Sequence, residues 1–231
     1  MKKAEVTIMT ATEHRIELRR RWTQVKRGIH WVAWNKVTVP KSSGGLGFKD
    51  VKVFNDSLIL KQLWKLLTKP NSLMIRVLKK RYFPSGCVLV AKKSSAASWL
   101  WNSWVTVLNM HKDGFRREVK DGINTKILSH PWVAGLSIGK PSLRAEVNDF
   151  SLTWVKELLS DDGRSWNVDL VRELFTPKSC KAILHIRNLN PTEKDRWVWK
   201  ADSKGKFSLA LAYSVAREEL ECRSCEGALY S

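Results

Sequence analysis

Residues 54 to 67 read FNDSLILKQLWKLL, and this stretch carries the clearest fold signal in the 231-residue chain. Its large apolar side chains recur at intervals of three or four residues, as they do on one face of a helix. They are Leu60, Leu63, Trp64 and Leu67. Asn55 or Asp56 suits the N-cap, and Pro70 ends the run. The stretch therefore predicts a helix that packs its leucines into a core.

Two similar helices are predicted after it, at residues 72–83 and 95–110. In the first, the residues predicted to face the core are Met74, Val77, Leu78 and Tyr82. In the second, the stripe consists of Trp101, Trp104, Val105 and Leu108. Gly114 suits the end of the second helix. The tryptophans of these helices are interpreted as core residues.

The pattern changes at Phe115. Residues 115–128, FRREVKDGINTKIL, alternate apolar and polar side chains around Asp121-Gly122, a dipeptide that favours a tight hairpin. Further helices are predicted at residues 152–159 and 168–175, the second capped by Asn167, and another begins at Pro177. Residues 196–200 and 206–208 are predicted to be paired strands, followed by a helix at 209–220.

The resulting fold class is mainly α with small β-hairpins (α+β), a helical connection-type module followed by a smaller mixed region. The predicted divisions are a divergent basic segment at 1–21, a basic helical module with a hairpin at 22–135 and a linker at 136–150. A small helical region with a strand pair follows at 151–221, and residues 222–231 form a tail.

The positive charge lies mainly in the first half. The formal net charge is +19, and residues 1–115 hold 22 Lys and Arg against 6 Asp and Glu. Such one-sided charge favours a polyanionic partner, because each neutralised phosphate releases counterions. The predicted partner is RNA or DNA, bound without sequence preference, and no membrane is expected. No signal peptide or membrane span is recognisable in the sequence, so an intracellular location, nuclear or cytoplasmic, is expected.

Paired and tripled cations are the candidate nucleic-acid-binding residues. They are Arg19, Arg20, Arg21, Lys26, Arg27, Lys79, Lys80, Arg81, Lys92, Lys93, Arg116 and Arg117. The sequence contains no aromatic RNA-recognition motif, zinc-finger spacing or helix-turn-helix pattern. Binding through phosphates is therefore predicted, without readout of bases.

No catalytic residue and no cofactor is predicted. Asp161-Asp162 resembles a metal-binding doublet, but it follows a helical stretch and precedes Gly163, which favours a solvated helix end. The histidines are far apart and belong to no nucleophile motif. Cys222 and Cys225 form one C-x-x-C pair, which is half of a zinc site; no metal is predicted, and the pair is the candidate if one binds.

The glycine-dense segment KSSGGLGFKD at residues 41–50 poses a similar choice between a phosphate cradle and a turn. A cradle requires a preceding strand and a helix N-terminus at the loop. Pro40 precedes the loop and the next helix is predicted to start near Asp56. The segment is therefore interpreted as a turn.

An ordered series of motifs carries a family resemblance. It begins with His30, Trp31 and Trp34 and the GGLGF loop, and continues through QLWKLL, KKRYFP, SWLWNSW, VKDG and HPW. It ends at DRWVWKADSKGKFSLALAYSVA. This series, over residues 22 to 217, resembles the region after the polymerase domain of plant non-LTR (LINE-type) retrotransposon reverse transcriptases, up to the entry to the zinc-binding region. The departures are Lys120 for Gly, Arg117 for Trp, Leu128 for Trp and His130 for Asp.

The resemblance implies a protein without catalysis. The family's polymerase carboxylates lie upstream, in an aromatic-x-Asp-Asp motif that this chain lacks, and its ribonuclease H carboxylates lie downstream. The expected function is that of a non-catalytic, reverse-transcriptase-related fragment that retains weak, sequence-independent binding of RNA or DNA. The alternative is a structural or protein-interaction remnant without nucleic-acid binding, whose protein partner is unknown.

Overall fold

The computed structural model describes residues 37–39, 41, 44–84 and 86–228, with the backbone alone for residues 222–228. The chain divides into two compact units, Met1–Lys49 and Asp50–Ser231. The described part of the first unit is a turn. Gly44 and Gly47 adopt φ values of 80° and 71°, in the left-handed region that glycine tolerates. The Gly47 N–H donates to the Val39 carbonyl at 2.9 Å. The interpretation of the glycines as a turn agrees with this geometry.

The second unit is mainly helical, as predicted. Its described residues form six α-helices and one two-stranded antiparallel sheet. The helices are α1 (Val51–Thr68), α2 (Leu73–Tyr82), α3 (Trp99–His111), α4 (Val168–Leu174), α5 (Pro177–Leu184) and α6 (Leu209–Ala228). The strands are β1 (Phe115–Glu118) and β2 (Arg196–Trp199). Within the described residues, no helix has both the length and the apolarity needed to cross a bilayer.

Helix α1 starts earlier than the sequence predicted. Its N-cap is Asp50, whose carboxylate accepts a hydrogen bond from the Val53 N–H at 3.0 Å, so the prediction of Asn55 or Asp56 was wrong. Both residues instead lie inside the first turns, because the helix begins at Val51. The carboxylate of Asp50 occupies the helix N-terminus, where an anion would otherwise bind. The leucine face is as predicted, with Leu60 and Leu63 buried.

Helix α2 has nearly the predicted bounds but a different buried face. Ile75 is its buried residue, at 2% exposure, whereas Met74 and Val77 are 44% and 60% exposed. The prediction that Met74 and Val77 face the core was therefore wrong. Ile75, Leu78 and Tyr82 lie at intervals of three and four residues, so they form an equally regular helical stripe. Periodicity could not choose between the two apolar stripes of this helix.

Helix α3 starts at Trp99, four residues later than predicted, where the Ser98 hydroxyl accepts from the Trp101 N–H. Trp101 stacks on Tyr82 of α2 with ring centroids 4.4 Å apart. The helix ends in a short 3-10 turn, Lys112–Gly114, that leads directly into β1. The interpretation of Trp101 as a core residue is confirmed by its 3% exposure.

The hairpin predicted at residues 115–128 does not form. Strand β1 pairs with β2, with Phe115 opposite Trp199 and Glu118 opposite Arg196. Asp121-Gly122 lies in a loop after β1 instead of closing a hairpin. Of the second predicted pair, the strand at residues 196–200 is confirmed as β2, but residues 206–208 form no strand, so the predicted pairing was wrong. The chain turns at residues 202–205 and sends Phe207 against the Trp199 ring.

The later helices start at the predicted residues with one exception. Asn167 caps α4 by accepting from the Leu170 N–H, and Pro177 occupies the first turn of α5. The exception is residues 152–159, where the structure has a 3-10 helix, Val155–Leu158. Helix α6 extends to Ala228, beyond the predicted end at residue 220.

Two clusters of buried side chains form the core of the second unit. The first joins α1, α2 and α3 to Phe115, Trp197 and Trp199 of the sheet. The second contains Trp132, Val155, Trp166 and Phe175 among its buried residues. Partly buried side chains of residues 136–150 pack against the second cluster. The proposed division at 22–135, 136–150 and 151–221 stays a prediction.

Candidate nucleic-acid interface

One cavity in the described part of the chain lies where helices α1 and α2 meet the sheet and the loops after β1. It is an open cleft of about 760 Å³. Its apolar wall comes from the ends of the two helices and the segment after them, and includes Leu67, Ile75, Phe83 and Val88. These side chains belong to the first core cluster, so this wall is rigid.

The lining of the cleft also carries cationic side chains. Among the described residues, five cationic side chains line the cleft and come from distant parts of the chain: Lys79, Arg117, Lys126, Lys194 and Arg196. The single carboxylate that the described residues contribute to the lining is that of Asp195. Cations beside low-dielectric walls concentrate a positive field inside a cleft. The cleft is therefore suited to an anionic ligand.

The oxygens of Asp195 are not available to a ligand, because they are already hydrogen-bonded within the protein, although the charge of the carboxylate still offsets part of the field. One carboxylate oxygen accepts from the N–H groups of Lys120 and Gly122, at 2.7 and 3.0 Å. The other accepts from the Asn124 N–H at 3.2 Å and the Thr125 hydroxyl at 2.6 Å. The side chain is buried, so its negative charge holds the loop at residues 120–125 in place.

Two contacts fix the position of the Arg117 side chain in the cleft. Its Nε donates to the Thr125 hydroxyl at 3.3 Å, and its guanidinium lies 5.3 Å from the centroid of the Trp197 ring. Burial lowers the pKa of Arg117 from its ordinary value, while Asp195 opposes that change. The group remains a cation at neutral pH, since an arginine pKa is far above 7.

His130 also lines the cleft, and it is neutral at neutral pH. Burial, followed by repulsion from Arg117 and Lys126, lowers the pKa of His130 to about 4. Its Nδ1 accepts a hydrogen bond from the Lys126 N–H at 3.1 Å, so a proton on the neutral ring belongs to Nε2. His130 therefore adds no charge to the cleft at neutral pH.

Trp154 is the exposed aromatic side chain of the described lining, at 38% exposure. The Lys126 ammonium lies 5.7 Å from the centroid of its ring. The two residues also form an isolated antiparallel bridge through their backbones. An aromatic face and a cation are thus presented together in the cleft.

The structure brings together only part of the sequence-predicted set. Lys79 and Arg117 line the cleft. Arg116 lines a second cavity, of about 430 Å³, and Lys92 lines a third. Lys80, Arg81 and Lys93 are exposed. Arg19, Arg20, Arg21, Lys26 and Arg27 lie outside the described residues. Whether any of these cations binds nucleic acid stays a prediction.

The sequence analysis missed Lys126, Trp154, Lys194 and Arg196. The lysines and the arginine were overlooked because the search counted runs of adjacent cations, and these three cations stand singly in sequence. The resemblance offered a weak signal for two of them, since Lys194 and Arg196 flank the start of the quoted DRWVWK motif. Nothing in the local pattern marked Trp154 as exposed.

Two other candidate sites from the sequence are the Asp161-Asp162 doublet and the Cys222/Cys225 pair. The Asp162 carboxylate lies in an exposed turn, where it accepts from the Ser160 hydroxyl at 2.6 Å and the Arg164 N–H at 2.9 Å. Across the residues whose side chains are described, no group of three or more His, Cys, Asp and Glu is placed to hold a metal ion. Cys222 and Cys225 lie in the helical backbone of α6, and their side chains are outside the described part.

The fold and this cleft define a mainly helical, basic protein with a groove suited to anions. Comparison with known proteins places it in a family. The chain is 36% identical over 109 residues to Uncharacterized mitochondrial protein AtMg00310 of Arabidopsis thaliana, a match that covers 47% of this chain and 71% of that protein. The chain belongs to the family of this plant protein.

A second relative extends the similarity along most of the chain. The match to Putative ribonuclease H protein At1g65750 of Arabidopsis thaliana is 28% identical over 199 residues. It covers 84% of this chain and 32% of that protein. No protein-family model matches the chain, and no solved structure matches it significantly. The similarity to plant proteins, one of them named a ribonuclease H protein, agrees with the broad resemblance stated from the sequence.

Proposed function

We propose that this chain is a non-catalytic protein related to the region after the polymerase domain of a plant non-LTR retrotransposon reverse transcriptase. In this proposal it binds RNA or DNA through the phosphate backbone, without sequence preference. The observation that carries the proposal is the cleft, in which the described residues place five cations against one carboxylate, whose oxygens are hydrogen-bonded to the protein's own loop. The similarity to a protein named Putative ribonuclease H protein supports the retroelement origin.

The charge arrangement favours phosphates over a small organic anion. Lys79, Lys194 and Arg196 are exposed at the rim, whereas Arg117 lies deeper against Trp197. A polyanion can satisfy cations spread along a groove, because its charges repeat along the strand. Arg196 also lines the second cavity, whose charged lining consists of the cations Arg116, Lys200 and Lys204 and the carboxylates of Glu118 and Asp202.

Some of this charge is compensated within the protein. The Arg196 Nε lies 2.6 Å from a Glu118 oxygen, and Glu118 also lies 3.6 Å from the Lys120 ammonium. Lys79 and Lys194 are therefore the clearest candidates for phosphate contacts. Binding of this kind has dissociation constants of about 10⁻⁴ to 10⁻⁶ M at physiological salt.

The geometry of Asp162 favours a structural role for this residue over a catalytic one. The Asp162 carboxylate forms hydrogen bonds that close its own turn, with the Ser160 hydroxyl and the Arg164 N–H. These bonds lower the pKa of Asp162 and give the residue a local structural role. We expect the double replacement of Asp161 and Asp162 by asparagine to leave nucleic-acid binding unchanged. We also expect no nuclease or polymerase activity in the wild-type protein that this double replacement abolishes.

Fluorescence anisotropy with labelled RNA and DNA strands tests binding by the full chain. Lys79→Gln combined with Lys194→Gln removes two cleft cations, and the matched control is Lys80→Gln combined with Lys93→Gln, which removes two exposed cations outside the cleft. We expect tight binding at about 50 mM salt that weakens steeply with salt. The cleft pair should reduce the slope of log K against log salt by about 1 for each phosphate that the variant no longer neutralises.

Two results would count against the proposal. The first is no binding by folded protein at about 50 mM salt. The second is an equal reduction of affinity and slope in the cleft pair and the control pair. That result would show that binding depends on overall charge and that the cleft is not its site.

A second candidate function is protein interaction, and exposed apolar side chains favour it. Leu73, Met74 and Val77 of α2 are 75%, 44% and 60% exposed, and Trp99 at the start of α3 is 82% exposed. Such side chains are costly to leave in water when they are contiguous. Sedimentation velocity over a range of concentrations tests this function, with Leu73→Ser combined with Val77→Ser as the variant. A monomer at every concentration that binds nucleic acid would favour the first proposal.

A further inference from the structure

The side chain of Trp154 is held at the cleft by a rigid segment. The backbone N–H groups of Thr153 and Trp154 donate to the Glu157 carboxylate at 2.7 and 2.9 Å. The next residue, Val155, is fully buried and its N–H donates to the Thr125 carbonyl at 2.9 Å. The Ile127 N–H donates to the Thr153 carbonyl at 3.0 Å. An exposed indole is thus attached to backbone that is fixed on both sides.

The exposed part of the Trp154 ring does not contribute to the stability of the fold. A tryptophan side chain contributes most to stability when it is buried, and the other tryptophan of the described cleft wall, Trp197, is 9% exposed and covered by Arg117 and His130. A cation, Lys126, also lies over the Trp154 ring, but Trp154 differs because it keeps 38% of its surface exposed. Ordering it costs little further entropy on binding, because its backbone is already fixed.

We propose that Trp154 is a stacking platform for an unpaired base, so that the cleft selects single-stranded over duplex nucleic acid. This inference rests on the proposed binding of nucleic acid in the cleft. The strand's phosphates contact the cations, while one base leaves its neighbours and stacks on the indole. Every base has a π-face, so the contact is independent of sequence. In a duplex the bases already stack on each other, and extruding one carries an added cost.

Lys126 has a defined part in this arrangement. Its ammonium lies over the Trp154 ring, and it is therefore placed to contact the phosphate next to the stacked base. Its backbone N–H is held by the His130 ring nitrogen, which fixes the position of the residue. Aromatic stacking beside cationic backbone contacts is the combination that single-strand-binding grooves use.

The test compares two strands of equal length and charge. One is a labelled single-stranded DNA with all bases, and the other has the same number of phosphates but abasic sugars. The variants are Trp154→Ala and Trp154→Phe, and the control is Trp99→Ala, which removes an exposed tryptophan that does not line the cleft. Circular dichroism and urea midpoints establish that each variant is folded.

We expect wild-type protein to bind the strand with bases more tightly than the abasic strand. Trp154→Ala should lose about 5- to 150-fold in affinity for the strand with bases and little for the abasic strand. Trp154→Phe should retain most of the affinity, and Trp99→Ala all of it. The salt slope should be unchanged in every variant, because the phosphate contacts remain.

Separate results overturn the two proposals. If Trp154→Ala binds both strands as wild type does, or loses the same factor on both, stacking on Trp154 is refuted while binding in the cleft stands. Tighter binding of duplex than of single strand by wild type also refutes the single-strand preference. If folded wild-type protein binds no strand at low salt, the proposed function itself fails.

Discussion

Replacing Asp195 by alanine should destabilise the protein and disorder one wall of the cleft. Asp195 is 7% exposed and accepts four hydrogen bonds from the loop at residues 120–125. Asp195 directly precedes β2, so these bonds tie the loop to the sheet. Since Asn124 and Lys126 of the same segment line the cleft, the substitution also tests how the cleft is built.

The magnitude follows from which donors would be left without a partner. The Gly122 N–H and the Thr125 hydroxyl are buried, and leaving each unpaired costs about 1 to 3 kcal/mol. The Lys120 and Asn124 N–H groups are nearer solvent and can bind water instead. Removing the carboxylate also removes the cost of its own burial. We therefore expect Asp195→Ala to lower the free energy of unfolding by about 2 to 5 kcal/mol.

Urea unfolding followed by circular dichroism measures this change, with two comparison variants. Asp195→Asn keeps the shape but only one accepting oxygen, so about half of the loss is expected. Thr125→Val removes only the hydroxyl and should cost about 1 to 2 kcal/mol. Binding of single-stranded DNA should weaken in Asp195→Ala even under conditions where the variant stays folded.

Two outcomes would refute this reasoning. A loss of under about 1 kcal/mol for Asp195→Ala would mean that the loop is held by other contacts. An equal loss for Thr125→Val and Asp195→Ala would mean that the three backbone donors contribute nothing.

Three further changes have definite expected results. Gly122→Ala should lower the free energy of unfolding, measured with urea, by about 2 to 4 kcal/mol, because the φ of Gly122 is 68° and an added Cβ would lie 2.6 Å from the Lys156 backbone nitrogen. Gly135 has a φ of 82° but open space around it, so Gly135→Ala should lower the free energy of unfolding by only about 1 kcal/mol. The pKa of His130 is about 4 in the folded protein against an ordinary 6.5, so the unfolded chain takes up the proton first and stability should fall as pH falls from about 6.5 toward 4. His130→Asn should remove this part of the pH dependence, and urea midpoints that shift equally in both proteins between about pH 7 and pH 5 would contradict the assignment. Ile75→Ala should lower the free energy of unfolding by about 2 to 5 kcal/mol, because this side chain is only 2% exposed. Val77→Ala should lower it by under about 0.5 kcal/mol, because that side chain is 60% exposed. A larger loss for Val77→Ala than for Ile75→Ala would favour the buried face predicted from the sequence.

Local signals predicted most of the helices and the strand at residues 196–199, but they failed for the pairing of the strands. Asn167 and Pro177 start α4 and α5 at the predicted residues, because a cap and a fixed φ act within one turn. Asp121-Gly122 suggested a hairpin because the dipeptide suits a tight turn. The turn is instead held by Asp195, and Gly122 and Asp195 are 73 residues apart in sequence. No local pattern records such a partner.

For the candidate site, too, the sequence predicted the kind of partner but not the residues that come together in space. The excess of basic residues in the first half predicted a polyanionic partner, but adjacency in sequence was a poor guide to adjacency in space. Lys79 and Arg117 reach the cleft, while Lys80 and Arg116, their immediate neighbours, do not line it. On a helix or strand, adjacent residues point in different directions, so a run of cations rarely forms one surface.

The amino-acid sequence by itself determined the helical class, the starts of α4 and α5 and the sign of the charge, because these depend on composition and on neighbours within a turn. The tertiary structure alone decided that β1 pairs with β2, that Ile75 is buried in α2, and that Lys126, Trp154 and Lys194 meet in one cleft. Those outcomes depend on which surfaces pack against each other, and long-range packing chooses among local alternatives that have nearly equal propensity.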